Sequence, residues 1–409
     1  YQKESIALKY IDESFIPAEG LEQAVNLLRQ RNFEANVLPR DLSAEGLGEE
    51  KTLDVLAFHV LGRAAALDHP LAFAHMDPPT PWITWATSLW NSRLNQNLLH
   101  PSISPFASEA EKIVMSWITP FFGMNGGHMC SGSTVANLTA LWAARDVGKV
   151  KKIVASKDAH LSIQKSAQIL GLPFECIKTD EVGRIDRRSL GDITDAALVL
   201  TAGTTAAGAI DPLDLASHAG WSHIDAAWAG PLRMTREYGY LLDGIEMADS
   251  VAVSAHKWFY QPKDSALIMF RSPRDCDQAL SLSSDYLAKP NTGLQGSRGA
   301  AAIPLLATLL AWGSNGITER VCRSMRHSEN FAGKIDDDER LILWAEPKTG
   351  IVLFRPKFLS VGDCQQRLPE NIFSICKVDG QDWLRAVAVN PMLDVEGVIW
   401  ELDKALSEH

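Results

Sequence analysis

The chain has 409 residues, of which 46% are hydrophobic and 22% are charged, a composition typical of globular proteins with more than one domain. A net charge of -11 argues against nucleic acid or an anionic membrane as a partner, so any anionic ligand must be bound by a local group of donors. The six cysteines form no C-x-x-C pair and no secretory signal opens the chain, which predicts reduced thiols and a cytoplasmic location.

The first part of the chain predicts an N-terminal helical segment, residues 1–68, from the spacing in "LEQAVNLLRQ". Next comes the proline-rich "HPLAFAHMDPPTP". From Pro105 onward we predict a helix in "EAEKIVMSWITPFFG", a turn-rich loop in "GGHMCSGST" and a helix in "VANLTALWAARDVG". A strand in "KKIVAS" and a helix in "SIQKSAQILGL" follow, and then strands in "AALVLTAG", "WSHIDAA", "DSVAVSA" and "SALIMFR".

This alternation predicts a large α/β domain, residues 69–315, with a mainly parallel sheet and helices on both faces. Ligands in such sheets bind at the carboxyl ends of the strands. After a helix from Ala302 to Trp312, residues 316–409 mix strands ("GIVLFRP", "LRAVAVN") with a helix ("DVEGVIWELDKAL") and predict a smaller α+β domain.

Lys257 follows an apolar strand and precedes Trp258, Phe259 and Tyr260. In apolar surroundings the ammonium form is disfavoured, so the amine becomes available to bond covalently with a carbonyl carbon. The alternative is a lysine whose charged end simply reaches solvent.

Two further strand ends carry candidate groups. Asp225 in "HIDAAWAG" is flanked by small residues, and its carboxylate could face the nitrogen of a flat heterocycle. His160 follows the strand "KKIVAS" and could stack on such a ring. The alternatives are a turn or capping aspartate and a hydrogen-bonded structural histidine.

Small hydroxyl residues surround two glycines near strand ends. Ser133 and Thr134 follow Gly132 and open a helix, where backbone N–H groups would hold a dianion. Thr204 follows Gly203 after another strand. Helix capping and turn formation explain the same residues equally well.

Five stretches, in this order, carry a resemblance: "CSGSTVANLTALWAAR", "DAHLSIQKSA", "TAGTTAAGAIDPL", "HIDAAWAG" and "GIEMADSVAVSAHKW". With these five stretches, the chain resembles the group II pyridoxal-phosphate-dependent amino acid decarboxylases over about residues 69–325. The resemblance implies fold type I, similar to aspartate aminotransferase, with a mainly parallel seven-stranded sheet in the large domain. It also implies pyridoxal 5'-phosphate (PLP) as cofactor, no metal, an L-amino acid as substrate and a homodimer.

The resemblance also implies roles for individual residues. Lys257 would bind the cofactor covalently, Asp225 would face its pyridine nitrogen, and Ala227 and His160 would contact opposite faces of its ring. Further cofactor contacts are implied for Ser133, Thr134, Thr204, Ser254 and His256. Gly296 and Ser297 would reach the neighbouring subunit's cofactor phosphate. Tyr286, on a loop, would return a proton to the substrate, or would instead be an aromatic anchor in the interface.

The substrate pocket corresponds to the stretch containing His75, Met76 and Asp77, with Asn95 and Gln96 nearby. A histidine and amides supply hydrogen bonds, which favours a polar or acidic substrate, although these residues could instead brace the dimer. For Arg385 we expect a structural salt bridge rather than a contact with substrate.

Three other functions stay open at this point. One is a different PLP reaction at the same site: transamination, carbon–carbon lysis or oxidative deamination coupled to decarboxylation. The second is a metal-dependent hydrolase using His223 and Asp225 with His256 or His160. The third is an inactive protein that binds the cofactor.

Overall fold

The computed structural model describes residues 20–30, 32–42 and 44–407. The chain divides into two compact units, Tyr1–Ala66 and Leu67–His409. In the first unit, α1 (Gly20–Leu27) and α2 (Glu49–Val60) are joined by Gln23 Nε2, which donates to Asp54 Oδ1 at 2.8 Å. The predicted domain limits remain predictions. Within the described ranges, no helix is long and apolar enough to cross a bilayer.

The second unit contains a seven-stranded sheet of order β1-β7-β6-β5-β4-β2-β3. Strands β2 to β6 are parallel, and β7 runs antiparallel to both of its neighbours, β6 and β1. This arrangement, with a smaller C-terminal domain, confirms the predicted fold class. The strands are β1 (Gly126–Cys130), β2 (Lys152–Ser156), β3 (Phe174–Ile177), β4 (Ala196–Thr201), β5 (Trp221–Asp225), β6 (Ser250–Ser254) and β7 (Ala266–Phe270).

Alternate side chains of the central strands enter two cores on opposite faces of the sheet, as the period of a strand requires. In β4, Leu198 and Leu200 belong to one core, and Ala197 and Val199 to the other. Helices α4 (Pro105–Ile118) and α8 (Ala302–Asp336) contribute to the first core. The second core is covered by α5 (Ser133–Asp146), α6 (Leu161–Leu170) and α7 (Pro273–Leu280). Helix α3 (Trp82–Leu94) packs on α8.

The prediction of a loop across "GGHMCSGST" is wrong for its first five residues, which form β1. Two adjacent glycines favour a turn locally, but here one of them permits close pairing of strands. A Cβ on Gly127 would lie 2.0 Å from the Ile268 carbonyl oxygen of β7. Only glycine therefore fits at this position, and the loop begins after Cys130.

The C-terminal region contains a four-stranded antiparallel sheet of order β10-β11-β13-β12. Its core includes the rings of Phe73, Phe331, Phe354 and Phe373. A two-stranded ribbon precedes α8 and consists of β8 (Ser281–Leu282) and β9 (Asn291–Thr292). The four-stranded sheet and its helices are β10 (Leu341–Leu343), β11 (Ile351–Pro356), α9 (Val361–Arg367), β12 (Ser374–Val378), β13 (Gln381–Val387) and α10 (Val395–Ser407).

Helix α8 runs well beyond the predicted end at Trp312. Gly313 interrupts it with φ 62° and ψ -177°, and the helix then continues to Asp336. The predicted domain boundary between residues 315 and 316 therefore lies inside this helix. Glycine is suited to the interruption because its φ is positive.

Thr349, just before β11, ties the C-terminal sheet to the ends of the central strands. Its Oγ1 donates to the Gly208 carbonyl at 2.7 Å, and its carbonyl accepts from Trp228 Nε1 at 2.6 Å. Trp228 and Thr349 are both buried. Gly208 has φ 68°, and a Cβ there would lie 2.4 Å from Thr349 Oγ1.

Candidate active site

Several predicted site residues lie at one edge of the central sheet. Asp225 is the last residue of β5 and Ser254 the last of β6, while Lys257 follows three residues after β6. Helix α5 begins at Ser133, just after the same end of β1. The edge is the carboxyl end of the parallel strands, where open α/β sheets bind ligands.

Lys257 is half-buried and is followed by the fully buried rings of Trp258 and Phe259. Burial lowers the pKa of its ammonium group, because the charged form is poorly solvated there. The Asp225 carboxylate acts in the opposite direction, and the positive charge of Arg385 adds to the lowering. The amine is therefore closer to its reactive neutral form than a surface lysine is.

Asp225 is 4% exposed, and both of its oxygens accept hydrogen bonds. Oδ1 accepts from the backbone N–H of Ala227 at 3.1 Å, and Oδ2 accepts from Asn137 Nδ2 at 2.9 Å. These two N–H donors fix the orientation of the carboxyl group. Our sequence reasoning missed Asn137; its signal is a polar side chain among the apolar residues of "VANLTALWAA".

His160 is the N-cap residue of α6. Its Nδ1 accepts from the Ser162 backbone N–H at 3.3 Å and lies 2.8 Å from Ser162 Oγ. Burial lowers the pKa of the imidazole, the Asp225 carboxylate raises it, and the Lys257 charge lowers it. Three of the four predicted catalytic groups, His160, Asp225 and Lys257, are therefore electrostatic neighbours.

The loop before α5 can receive an anion. Gly132 has φ 150° and ψ 162°, a conformation that favours glycine, and no side chain caps the helix. Ser133 is half-buried and Thr134 is exposed at this first turn. Across the edge, Ser254 Oγ is buried and has no hydrogen-bond partner within residues 44–407. A phosphate would satisfy that hydroxyl together with the free N–H groups of the helix.

Thr204 and His256 have their own local partners. Thr204 Oγ1 accepts from the Ala209 backbone N–H at 3.0 Å and closes the loop after β4, as the turn alternative requires. His256 Nδ1 bonds to the Ser265 carbonyl at 3.1 Å. Burial, with Lys263 and Lys257 nearby, lowers the pKa of His256 to about 4, so the ring is neutral.

The predicted substrate residues occupy different settings. His75 is exposed, and Asp77 is half-buried and ion-paired with Lys263. Asn95 is exposed and ends α3 with φ 44°, a left-handed conformation that asparagine tolerates well. That conformation gives a structural reason for Asn95, separate from its predicted contact with substrate.

The salt bridge expected for Arg385 is wrong. The side chain is 8% exposed on β13, and no carboxylate pairs with it among the residues with described positions. Its Nη1 donates to the Ala74 carbonyl at 3.4 Å and to Ser374 Oγ at 3.2 Å. Its Nε has no hydrogen-bond partner among the described residues. The guanidinium is therefore a buried cation that could bind an anionic ligand.

Tyr286, Gly296 and Ser297 lie in the segment between α7 and α8. Tyr286 is 70% exposed, with its ring 6.5 Å from that of His100, and no hydrogen bond joins it to His160, Asp225 or Lys257. Gly296 lines a cavity of about 270 Å³. Ser297 Oγ accepts from Asn97 Nδ2 at 3.1 Å and lines a second cavity of about 640 Å³. The same cavity is also lined by Lys263 and by Ser131, which lies in the loop before α5.

The donor set does not suit the metal-dependent hydrolase. Both ring nitrogens of His223 are hydrogen-bonded, Nε2 to Asn137 Oδ1 and Nδ1 to Ser250 Oγ, each at 3.0 Å. Across the described ranges, no group of three or more histidine, cysteine or acidic side chains could hold a metal ion. Metal sites in proteins need three or four such ligands.

Comparison with known proteins gives a family match over most of the chain. A model described as "Pyridoxal-dependent decarboxylase conserved domain" matches residues 50–357. An L-2,4-diaminobutyrate decarboxylase of Rhizobium meliloti (strain 1021) is 32% identical over 356 residues, covering 76% of this chain and 71% of the relative. An aspartate 1-decarboxylase of Aliivibrio fischeri is 27% identical over 388 residues, covering 80% and 70%.

Solved structures share the fold. The crystal structure of Oryza sativa TDC with PLP and tryptamine superposes with a TM-score of 0.86. The superposition covers 98% of this chain and 99% of the Oryza sativa chain, at 19% sequence identity. At this identity the likeness establishes the fold alone.

Proposed function

Because the chain belongs to the pyridoxal-dependent decarboxylase family, we propose that it removes the α-carboxylate of an L-amino acid with a polar or acidic side chain. The chain is a PLP-dependent amino acid decarboxylase, a carboxy-lyase. Its substrate and the roles of its site residues are the parts that we propose. The relatives named for 2,4-diaminobutyrate and aspartate support a short, charged substrate.

The observation that carries the proposal is the pairing of a desolvated amine with a buried carboxylate at the sheet edge. Lys257 would hold the cofactor covalently, and Asp225, oriented by two N–H donors, would keep a proton on the pyridine nitrogen. Ala227 and His160 would contact the ring. The bound cofactor withdraws electrons from the substrate's Cα, so that carbon dioxide can leave.

The phosphate would bind where α5 begins. Ser133, Thr134 and the partnerless Ser254 Oγ supply hydroxyl groups there, and the helix supplies free N–H groups. We propose Thr204 and His256 as flanking contacts. Each has a partner that fixes its position without using all of its hydrogen-bonding capacity.

A carboxylate of the substrate would bind Arg385. The guanidinium is buried without an ion-pair partner in the described chain, and its charge acts on the pKa of Lys257. The Asp77 carboxylate, which is ion-paired with Lys263, acts on the pKa of Arg385. We propose His75, Asp77 and Asn95 as contacts of the substrate side chain. Tyr286 would return a proton to Cα after carbon dioxide leaves.

We also propose a homodimer in which Gly296 and Ser297 reach the other subunit's cofactor. Helix α3 supports it, because Trp82, Trp85 and Trp90 are 69%, 54% and 60% exposed. Apolar faces of this kind mark protein contacts. The Trp85→Asp variant should sediment as a monomer, and Trp400→Asp, a change at a Trp that is 60% exposed on α10, should not.

We propose a cytoplasmic location. All six cysteines are free thiols, including the exposed Cys176, as in a reducing compartment. The excess of acidic residues favours a small-molecule substrate over nucleic acid or an anionic membrane as partner.

The function is tested by following carbon dioxide release from acidic, basic and aromatic L-amino acids. We expect release from a polar or acidic substrate without a keto acid acceptor, and none from the Lys257→Ala variant. A need for a keto acid would identify an aminotransferase instead. In air, Tyr286→Phe should divert part of the product to aldehyde and ammonia, with dissolved oxygen as the oxidant that is reduced to hydrogen peroxide. Unchanged amine yield would remove Tyr286 from the mechanism.

A further inference from the structure

A line of hydrogen-bonded side chains leads from the core of the large domain to the candidate site. Its members come from β5, from the start of β6, from the interior of α5 and from the start of α6, and all but the last are buried. In order they are Trp221, Ser250, His223, Asn137, Ser162 and His160. Asp225 joins the line as a branch at Asn137.

One end of the line has a fixed direction, because the indole N–H of Trp221 can only donate. Trp221 Nε1 donates to Ser250 Oγ at 3.1 Å, and the same oxygen lies 3.0 Å from His223 Nδ1. His223 is fully buried, and burial lowers its pKa to about 4, so the ring is neutral. Asn137 Oδ1 lies 3.0 Å from His223 Nε2 and can only accept, so the single proton of the ring is on Nε2.

The Asp225 end fixes which atom of the Asn137 amide is the oxygen. A carboxylate can only accept, so the Asn137 atom that lies 2.9 Å from Asp225 Oδ2 must be the amide nitrogen. The opposite orientation would set the amide oxygen against a carboxylate oxygen. The second Nδ2–H of Asn137 then donates to Ser162 Oγ at 3.0 Å.

The line ends at His160. Ser162 Oγ accepts from Asn137 and lies 2.8 Å from His160 Nδ1. The backbone N–H of Ser162 donates to the same nitrogen at 3.3 Å. Because that N–H can only donate, Nδ1 is an acceptor, so a neutral His160 carries its proton on Nε2 and the Ser162 hydroxyl donates to Nδ1 as well.

We infer that Asn137 is a positioning residue that orders two cofactor-contacting groups at once. One amide proton holds Asp225 Oδ2, and the other directs the Ser162 hydroxyl so that His160 stays in the Nε2–H tautomer. His160 then presents a donor, suited to the carboxylate of an amino acid. The inference rests on the proposed function only for the roles of Asp225 and His160, not for the direction of the hydrogen bonds.

The test begins with the cofactor-free full chain, labelled with ¹⁵N at its eleven histidines. Long-range ¹H–¹⁵N NMR spectra report which ring nitrogen carries the proton, and the His160→Gln variant assigns the His160 signals. We expect the proton of His160 on Nε2 at neutral pH. A wild-type His160 with its proton on Nδ1, or on both nitrogens, overturns the inference without any assay of activity.

Two variants then interrupt the line. Asn137→Ala should shift the His160 ring signals, and Ser162→Ala, a smaller change for use if the first variant does not fold, should shift them too. With cofactor, kcat should fall roughly 10- to 100-fold, a range typical of outer partners of site groups, while KM changes little. Thr139→Val is the control, because the buried Thr139 hydroxyl on α5 donates to the Val135 carbonyl at 2.7 Å and bonds to no member of the line.

The outcomes separate this inference from the proposed function. Unchanged His160 signals and unchanged kcat in both Asn137→Ala and Ser162→Ala refute the positioning role. Equal loss of kcat in Thr139→Val also refutes it, because the effect would then be general to α5. If no amino acid releases carbon dioxide while the wild-type tautomer and the shifts appear as expected, the proposed function fails and the assignment of Asn137 stands.

Discussion

Replacing Arg385 with Met should make the ligand-free protein more stable while lowering its activity toward an acidic substrate. The guanidinium is 8% exposed, and its two bonds, to the Ala74 carbonyl and Ser374 Oγ, go to neutral acceptors at 3.4 and 3.2 Å. Burial lowers its pKa, which means that the charge destabilises the folded chain at this position.

The two contributions to stability can be compared. A buried ion costs several kcal/mol after relaxation, whereas a well-formed hydrogen bond to a charged group returns about 1.5–3 kcal/mol. Both bonds of Arg385 are longer than the common N–H···O distance, so they return less. We expect the free energy of unfolding to rise by about 1 kcal/mol, which for a chain of this length is a rise in Tm of about 1 °C. Loss of a charged partner for the substrate is worth about 2–5 kcal/mol, or a fall in kcat/KM of roughly 30-fold or more.

Urea denaturation of the cofactor-free protein and steady-state kinetics with an acidic and an aromatic amino acid measure these effects. Arg355→Met is the control, because Arg355 lies on the neighbouring strand β11, 4.9 Å from the Trp383 ring, and donates to Gln381. It should lose up to about 1 kcal/mol of stability with unchanged kinetics. If Arg385→Met is instead destabilised by more than about 2 kcal/mol with unchanged kinetics, Arg385 is a structural cation and our reasoning is wrong.

Three more results are expected. The pKa of His223 falls from 6.5 in the unfolded chain to about 4 in the fold, so its contribution to stability is complete above pH 6.5. That contribution is lost as the pH falls to about 4, by about 3 kcal/mol; chemical denaturation across this range should show a slope that His223→Gln reduces, and an equal slope in both proteins contradicts the assignment. Trp228→Phe leaves the buried Thr349 carbonyl without its donor and should cost about 1–3 kcal/mol in urea denaturation, whereas no loss would mean that another donor replaces it. Gly132→Ala, at φ 150° with open space around a new Cβ, should strain the loop by about 1–3 kcal/mol and weaken PLP binding in absorbance titrations. Gly171→Ala, at φ 69° after α6, is its control and should lose stability without losing affinity for PLP.

The central strands were predictable because their cause is local. Runs such as Ala196–Thr201 and Ser250–Ser254 are short and rich in β-branched and other apolar residues, and in the fold every residue of both is buried. Strand β1 was not predictable in this way. Its glycines gain strand structure only through the close approach of Gly127 to β7, a contact between segments about 140 positions apart in the chain.

The site divides in the same manner. Lys257 and Asp225 stand out because an ionisable residue that ends an apolar strand is a local pattern. Asn137 does not, since its partner Asp225 lies 88 positions later. The setting of Arg385 depends on Ala74, 311 positions earlier, and on the lack of any carboxylate in pairing distance within residues 44–407. Such surroundings depend on tertiary packing, which local sequence patterns do not reveal.

Thr349 has a consequence for how substrate is received. Its hydroxyl and its carbonyl hold Gly208 and Trp228, so the C-terminal sheet that carries Arg385 cannot rotate away from the strand ends without breaking two short, buried bonds. In the site that we propose, Arg385 and the strand ends are thus already brought together when the chain folds. The entropy cost of bringing them together is incurred during folding and not at each binding event. This favours tighter binding of substrate at low concentration.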